Sequence, residues 1–223
     1  MRVLVIIPAA GSGTRFGGPI PKQFQPLHGK PLVQYVVERF LMSDAARIVV
    51  AIPEALLATV KQAPGDRVQF VAGGETRLES VSKAMQAAVG DFDVVAVHDA
   101  VRPFFRMDHL SALIDVAGQF GAACPALPLT DTIHATRDGV LSGTLDRSNL
   151  VAAQTPQCFR TEILRDALAR AAADKFDATD EAGLAAHYGY KVQVITGDPH
   201  NIKITRPEDL ELAEAHFGEW SQS

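Results

Sequence analysis

The sequence is short of cysteine, of surplus cations and of long apolar runs, and each shortage excludes something. Cys124 and Cys158 are its two cysteines, too few and too far apart for a disulfide framework or a zinc site. Such a chain suits the reducing cytoplasm. Lys and Arg total 21 against 26 Asp and Glu, a formal charge of -5, so no broad cationic surface is expected to track nucleic acid. Any phosphate chemistry must come from a few local cations. The first apolar run, Val3 to Ile7, stops at Pro8, far short of a membrane span or a secretory leader. Repeats, low-complexity tracts and linkers are missing as well. What is present is a 223-residue chain, 47% hydrophobic and 21% charged, the composition of a globular protein with a core rather than a disordered one.

Short apolar runs alternate with helical periodicity from the first residue onward. Val3–Ile7, Ile48–Ile52, Val68–Val71 and Val94–Val97 are nearly continuous in apolar residues, the pattern of strands buried on both faces. Between them, 31–41, 54–62, 75–89 and 107–120 carry apolar residues three and four apart, as at Leu78, Val81, Met85 and Ala88, which predicts helices. Strands alternating with helices imply right-handed crossovers and a Rossmann-like, doubly wound, mostly parallel α/β sheet. The rhythm breaks over 129–153, where Thr130–Thr132, Arg137–Gly139 and Asp146–Asn149 are turn-like. A β-hairpin arm projecting from the sheet, or a long surface loop, fits this stretch. Helices resume at 161–173 and after Thr179, whose hydroxyl can cap the second. A strand follows at 191–196, and then a last helix with a capping signature in which Glu208 reaches back to the amide of Thr205. The chain 1–223 reads as one domain with one arm.

In an open α/β sheet, ligands bind beyond the carboxyl ends of the strands. The loop after the first strand, Pro8-Ala-Ala-Gly-Ser-Gly-Thr-Arg15, is built of small residues whose backbone N–H groups can approach an anion closely. A dinucleotide fingerprint starting at Gly11 fails at Phe16, and a P-loop fails because Pro19 follows Gly18. The loop does carry Arg15 and, seven residues later, Lys22, with Pro19 and Pro21 stiffening the path between them. Together they could surround a triphosphate. Alone, the same residues also describe a tight strand-to-helix turn with solvated cations.

Taken with Pro21-Lys-Gln23, that loop resembles the signature of nucleotidyltransferases that activate sugars or polyols as nucleoside diphosphates. Further segments are similar to the 2-C-methyl-D-erythritol 4-phosphate cytidylyltransferase family. They are Gly73-Gly74 with Arg77 and Ser80, Val97–Pro103, Thr155-Pro-Gln157, Thr179-Asp-Glu181 and Asn201–Asp209. The likeness runs from Val3 to about Phe217 and departs in a small way at Val101, where the family more often has alanine.

The resemblance implies that CTP and a polyol phosphate react with loss of pyrophosphate. Arg15 and Lys22 would stabilise the transition-state charge, while Arg147 and Lys203 would position the substrate. Ala9, Ala10, Gly11, Ser12, Gly13, Gly74, Ser80, Asp99 and Ala100 would bind the nucleotide. Asp99, Arg102, Thr132, Arg147, Thr155 and Lys203 would hold the polyol phosphate, with Asp99 also taking Mg²⁺. Asp99 follows a buried strand, and a hard cation that keeps water and phosphate oxygens needs few carboxylates; a turn or capping role for Asp99 is compatible with this. His98 reads as a structural hydrogen-bonder, because a phosphate nucleophile is already ionised near neutrality. The resemblance also implies a homodimer in which the arm crosses to the second subunit, as two-fold pairing permits. Alternatives are a ribitol 5-phosphate cytidylyltransferase and a non-catalytic nucleotide-binding regulator. The length leaves no room for a fused second enzyme after Trp220, and neither nucleic acid nor membrane is expected as a partner.

Overall fold

The computed structural model describes residues 1–11, 16, 20–59 and 65–220. The first strand, β1 (Val3–Pro8), is followed by a small hairpin of β2 (Pro26–Leu27) and β3 (Lys30–Pro31). Then come α1 (Leu32–Leu41), β4 (Arg47–Ile52), α2 (Glu54–Leu57), β5 (Val68–Ala72), α3 (Arg77–Ala87) and β6 (Val94–Val97). Next are α4 (Met107–Phe120), β7 (Ala122–Pro128), the hairpin of β8 (His134–Arg137) and β9 (Val140–Thr144), β10 (Val151–Ala153) and β11 (Gln157–Arg160). The chain continues through α5 (Thr161–Asp174), α6 (Glu181–His187), β12 (Gln193–Thr196) and α7 (Pro207–Trp220).

β1 pairs in parallel with both β4 and β6, and β4 in parallel with β5. The chain therefore winds outward from β1 through β4 to β5, then crosses back to place β6 on the other side. The crevice beyond the carboxyl ends of β1 and β6 is the point where strand order reverses, the usual ligand position in such sheets. Beyond β6, β11 inserts antiparallel between β6 and β7. β10 continues antiparallel along β7, and β12 pairs with β7 in parallel.

Side chains of β1 alternate between two cores. Val3, Val5 and Ile7 join α1 and α4 on one face, while Leu4 and Ile6 join α3, α5 and α6 on the other. Burial on both faces is why β1 reads as an unbroken apolar run. A smaller cluster of Leu27, Leu32, Tyr35, Val101, Phe104, Ile204 and Ala213 packs under the crevice.

Two helix caps and one helix end differ from the sequence reading. α6 is capped by Asp180, whose Oδ1 accepts from the Gly183 N–H at 2.8 Å, rather than by Thr179. α7 begins at Pro207, which makes Asp209 its third helical residue. Asp209 Oδ2, not Glu208, accepts from the N–H groups of Thr205 and Arg206, both at 2.8 Å. α2 ends at Leu57, short of the expected span, whose end lies outside the described residues. The arm's hairpin turns through Asp138 at φ 52° and Gly139 at φ 79°, the left-handed pair that a two-residue loop between twisted strands demands.

Candidate functional site

The crevice holds a cavity of about 260 Å³ lined by the loop after β1, the turn carrying Lys22, the Gly74–Arg77 segment, Asp99 to Val101, Thr179 and Lys203. Sheet geometry places its walls. The Ala9 N–H donates to Ala51 O at 2.7 Å, continuing the ladder one residue past β1. The N–H groups of His98 and Gly73 donate to Ile6 O and Ile52 O, both at 2.9 Å, so three strand ends present their next residues to one opening. Gly73 must be glycine here, because a Cβ would collide with Ala10 Cβ. Ser80 braces the same turn: its hydroxyl donates to Thr76 O at 2.9 Å and accepts from the Gly74 N–H at 3.0 Å.

Asp99 is 5% exposed and carries the densest electrostatics of the site. Arg77 Nη1 lies 2.8 Å from its Oδ1, while Lys203 Nζ at 2.9 Å and Arg102 Nε at 3.3 Å meet its Oδ2. Burial pushes this carboxyl up, but Arg77, Lys203 and Arg102 outweigh burial and hold it far below the ordinary range. It is an anion at any working pH. Arg77 also meets Glu181 at 2.9 Å. Glu181 is fully buried, and burial with the nearby Asp99 charge raises its pKa despite Arg77. Three cations thus converge on two carboxylates beneath the cavity.

The cations differ in freedom. Arg102 is 8% exposed and donates to the carbonyls of Asn201 at 2.7 Å and Ala153 at 3.4 Å. Arg77 is anchored by Glu181. Lys203 is 40% exposed and is the one able to swing.

Behind Asp99 runs a relay with a fixed sense. His98 Nε2 lies 2.9 Å from the Arg102 carbonyl, which can only accept, so Nε2 carries the proton. Burial drives the His98 pKa down to about 3, against the opposing pull of the Arg102 carbonyl and Asp99, so the ring is neutral and Nδ1 is an acceptor. The Thr155 hydroxyl donates to Nδ1 at 3.1 Å and accepts from the Asp99 N–H at 3.0 Å. The family resemblance assigned Thr155 to the substrate. In the structure it is 3% exposed, with its hydroxyl engaged beneath Asp99.

Of the residues singled out in the sequence, Ala9, Ala10, Gly11, Lys22, Gly74, Ser80, Asp99, Ala100 and Lys203 meet at this cavity, and Arg102 reaches it through Asp99. Thr132 and Arg147 do not line it; both are exposed on the arm, where the Arg147 guanidinium donates to Thr130 O. Ser12, Gly13 and Arg15 lie outside the described residues. Sequence reading placed Gln23, Glu181 and Asn201 in segments of family likeness but gave none of them a role at the site. Each acts through tertiary contacts: Glu181 lies 104 residues from Arg77, and Asn201 Nδ2 donates to Thr155 O at 2.8 Å across 46 residues. No local spacing could have announced them.

A family model described as 2-C-methyl-D-erythritol 4-phosphate cytidylyltransferase matches residues 3–219. A curated protein of that name from Solibacter usitatus is 40% identical over 98% of this chain and 97% of its own. The crystal structure of the enzyme so named from Thermus thermophilus superposes with a TM-score of 0.82 at 35% identity, covering 98% of this chain and 100% of that one. The Francisella tularensis structure of the same name gives 0.86 at 30% identity, covering 96% and 99%.

Proposed function

The chain belongs to the 2-C-methyl-D-erythritol 4-phosphate cytidylyltransferase family, and on that premise we propose how its cavity works. It is a nucleotidyltransferase of non-mevalonate isoprenoid precursor synthesis. It joins CTP to 2-C-methyl-D-erythritol 4-phosphate, giving 4-diphosphocytidyl-2-C-methyl-D-erythritol and pyrophosphate. A phosphate oxygen of the polyol ester bonds to the α-phosphorus of CTP as the bond from that phosphorus to the bridging oxygen breaks. The departing pyrophosphate takes the electron pair.

The observation that carries the reading is the buried Asp99 with its three cations at the strand-order reversal, opposite a loop of small residues. Such transfer needs positioning and charge neutralisation more than acid–base work. The nucleophile is ionised near neutrality because its second pKa is about 6. His98, neutral and sealed, is left to hold Asp99 in place. Ala9 to Gly13 with Gly74, Ser80 and Ala100 form the nucleotide side, and the narrow approach of Ala10 to Gly73 favours a pyrimidine over a purine. Arg15 and Lys22 offset the charge gathering on the α-phosphate and leaving group. On the substrate side, Lys203 leaves Asp99 for the incoming polyol phosphate while Arg77 and Arg102 keep the carboxylate fixed.

Among the described residues, no group of three or more His, Cys, Asp or Glu side chains could hold a metal ion. One permanently ionised oxygen ligand, Asp99, suits a cation that brings phosphate and water ligands with it, and Mg²⁺ is such a cation. When bound, Mg²⁺ would neutralise phosphate charge.

We read the chain as a single domain whose arm at 129–153 reaches a second copy, forming a homodimer with composite sites. Thr132 and Arg147 stand apart from their own cavity, and Val140, Leu141, Leu145 and Val151 are at least 47% exposed on the same segment. No helix among the described residues is long and apolar enough to cross a membrane. The two free, buried thiols suit the cytoplasm, where we place the enzyme. The test is pyrophosphate release from CTP, Mg²⁺ and 2-C-methyl-D-erythritol 4-phosphate, with ribitol 5-phosphate in parallel. Release with ribitol 5-phosphate alone would overturn the assignment.

A further inference from the structure

Gln23 is 3% exposed, sits in the short 3-10 turn Lys22–Phe24, and borders the cavity. Its side-chain amide has two donor hydrogens. Both are engaged by the loop after β1: Nε2 donates to Ala9 O at 2.7 Å and to Gly11 O at 2.9 Å. In a trans peptide the N–H points opposite to its C=O, so holding the Ala9 carbonyl turns the Ala10 N–H away from Gln23. Among the described residues nothing accepts from that N–H, and Ala10 lines the cavity. The loop is confined on its other side by Gly73, where even a methyl group would strike Ala10.

We propose that Gln23 is the positioning residue of the nucleotide site: its carboxamide draws back two loop carbonyls, which aims the Ala10 amide at CTP and ties the loop to the turn that carries Lys22. This rests on the reading of the cavity as the CTP site. The role calls for a neutral group with two donors. Glutamate has the same shape, but as an anion it only accepts, so it would repel the two carbonyl oxygens it faces. Burial beside two acceptors raises a carboxyl pKa, and once protonated it donates one bond. Methionine fills similar volume and donates nothing.

The experiment compares full-length wild type, Gln23→Glu and Gln23→Met by pyrophosphate release from about pH 6 to about pH 8, with CTP binding by calorimetry and circular dichroism to check the fold. Gln23→Glu should raise the KM for CTP about tenfold or more at pH 8, leave the KM for the polyol phosphate within about twofold, and recover at least about threefold by pH 6. Gln23→Met should show a CTP defect that is flat with pH. The proposal is overturned if Gln23→Glu matches wild type at pH 8, if both KM values rise together, or if its defect ignores pH. Should Gln23→Glu not fold, Gln23→Met decides. A folded variant with a raised CTP KM alone supports the role, whereas an unchanged KM or an unfolded variant overturns it. A wild-type protein that does not turn over CTP would instead remove the reading on which the proposal rests.

Discussion

Replacing Arg77 by methionine isolates the cost of the buried charge network. Glu181 is fully buried and faces Arg77 at 2.9 Å, its one ion-pair partner among the described residues, whereas Asp99 would keep Arg102 and Lys203. The stranded group is therefore Glu181. Removing one partner of a buried pair costs about 3–5 kcal/mol; because the Arg77 side chain is itself 23% exposed, the lower end, about 3 kcal/mol, is expected. For a chain of this size that lowers Tm by roughly 6–12 °C. The pH dependence has a definite sign. The folded Glu181 pKa lies above its ordinary value, since burial raises it and Arg77 opposes the rise. Deleting Arg77 lifts it further. A carboxyl raised on folding gives stability that is full below its unfolded pKa of about 4.3 and is lost as pH rises through the folded pKa. The deficit of Arg77→Met should accordingly be largest near pH 8 and shrink towards pH 5. Adding Glu181→Gln removes the stranded charge and should restore at least about half of the loss. Urea unfolding followed by circular dichroism at both pH values measures this. A deficit under about 1 kcal/mol at pH 8, an equal deficit at both pH values, or a double variant no better than the single would refute the reasoning.

Thr155→Val leaves His98 Nδ1 and the Asp99 N–H unmet and should cost about 1–3 kcal/mol in urea unfolding, while Thr155→Ser should stay close to wild type. Lys22→Ala should lower kcat about 10²–10³-fold with Tm nearly unchanged, as checked by pyrophosphate release and thermal melts. Arg147→Ala should raise the KM for the polyol phosphate and spare CTP. Mixed with Lys22→Ala protein, it should regain part of the lost activity if sites are shared between chains, and none if each chain is self-sufficient.

The parallel half of the fold was legible in the sequence because burial on both faces of β1, β4 and β6 forces unbroken apolar runs, and α4 was bounded correctly by its periodicity. The antiparallel strand β11 was not, since Gln157-Cys-Phe-Arg160 is short and begins with a polar residue whose amide is satisfied by a local bond to Gln154 O and a tertiary one to Asp180. The caps of α6 and α7 fall one residue beyond the expected ones because Thr179, Asp180, Glu208 and Asp209 are adjacent oxygen-bearing residues, and backbone direction alone chooses among them. Asp99 and Lys203, which line the cavity, were singled out by family resemblance. Gln23 and Glu181 were given no role at the site, because one braces carbonyls and the other braces a guanidinium, work that leaves no pattern along the chain.

Pro128 and Val151 face each other across the β7–β10 ladder, so the chain departs into the hairpin and returns within about 5 Å. The excursion between them is modular. Replacing it with a short turn would leave every strand of the main sheet hydrogen-bonded as before, while discarding Thr132 and Arg147 in one stroke. If the arm serves the acceptor as proposed, such a shortened chain would keep its grip on the nucleotide and weaken only its hold on the acceptor.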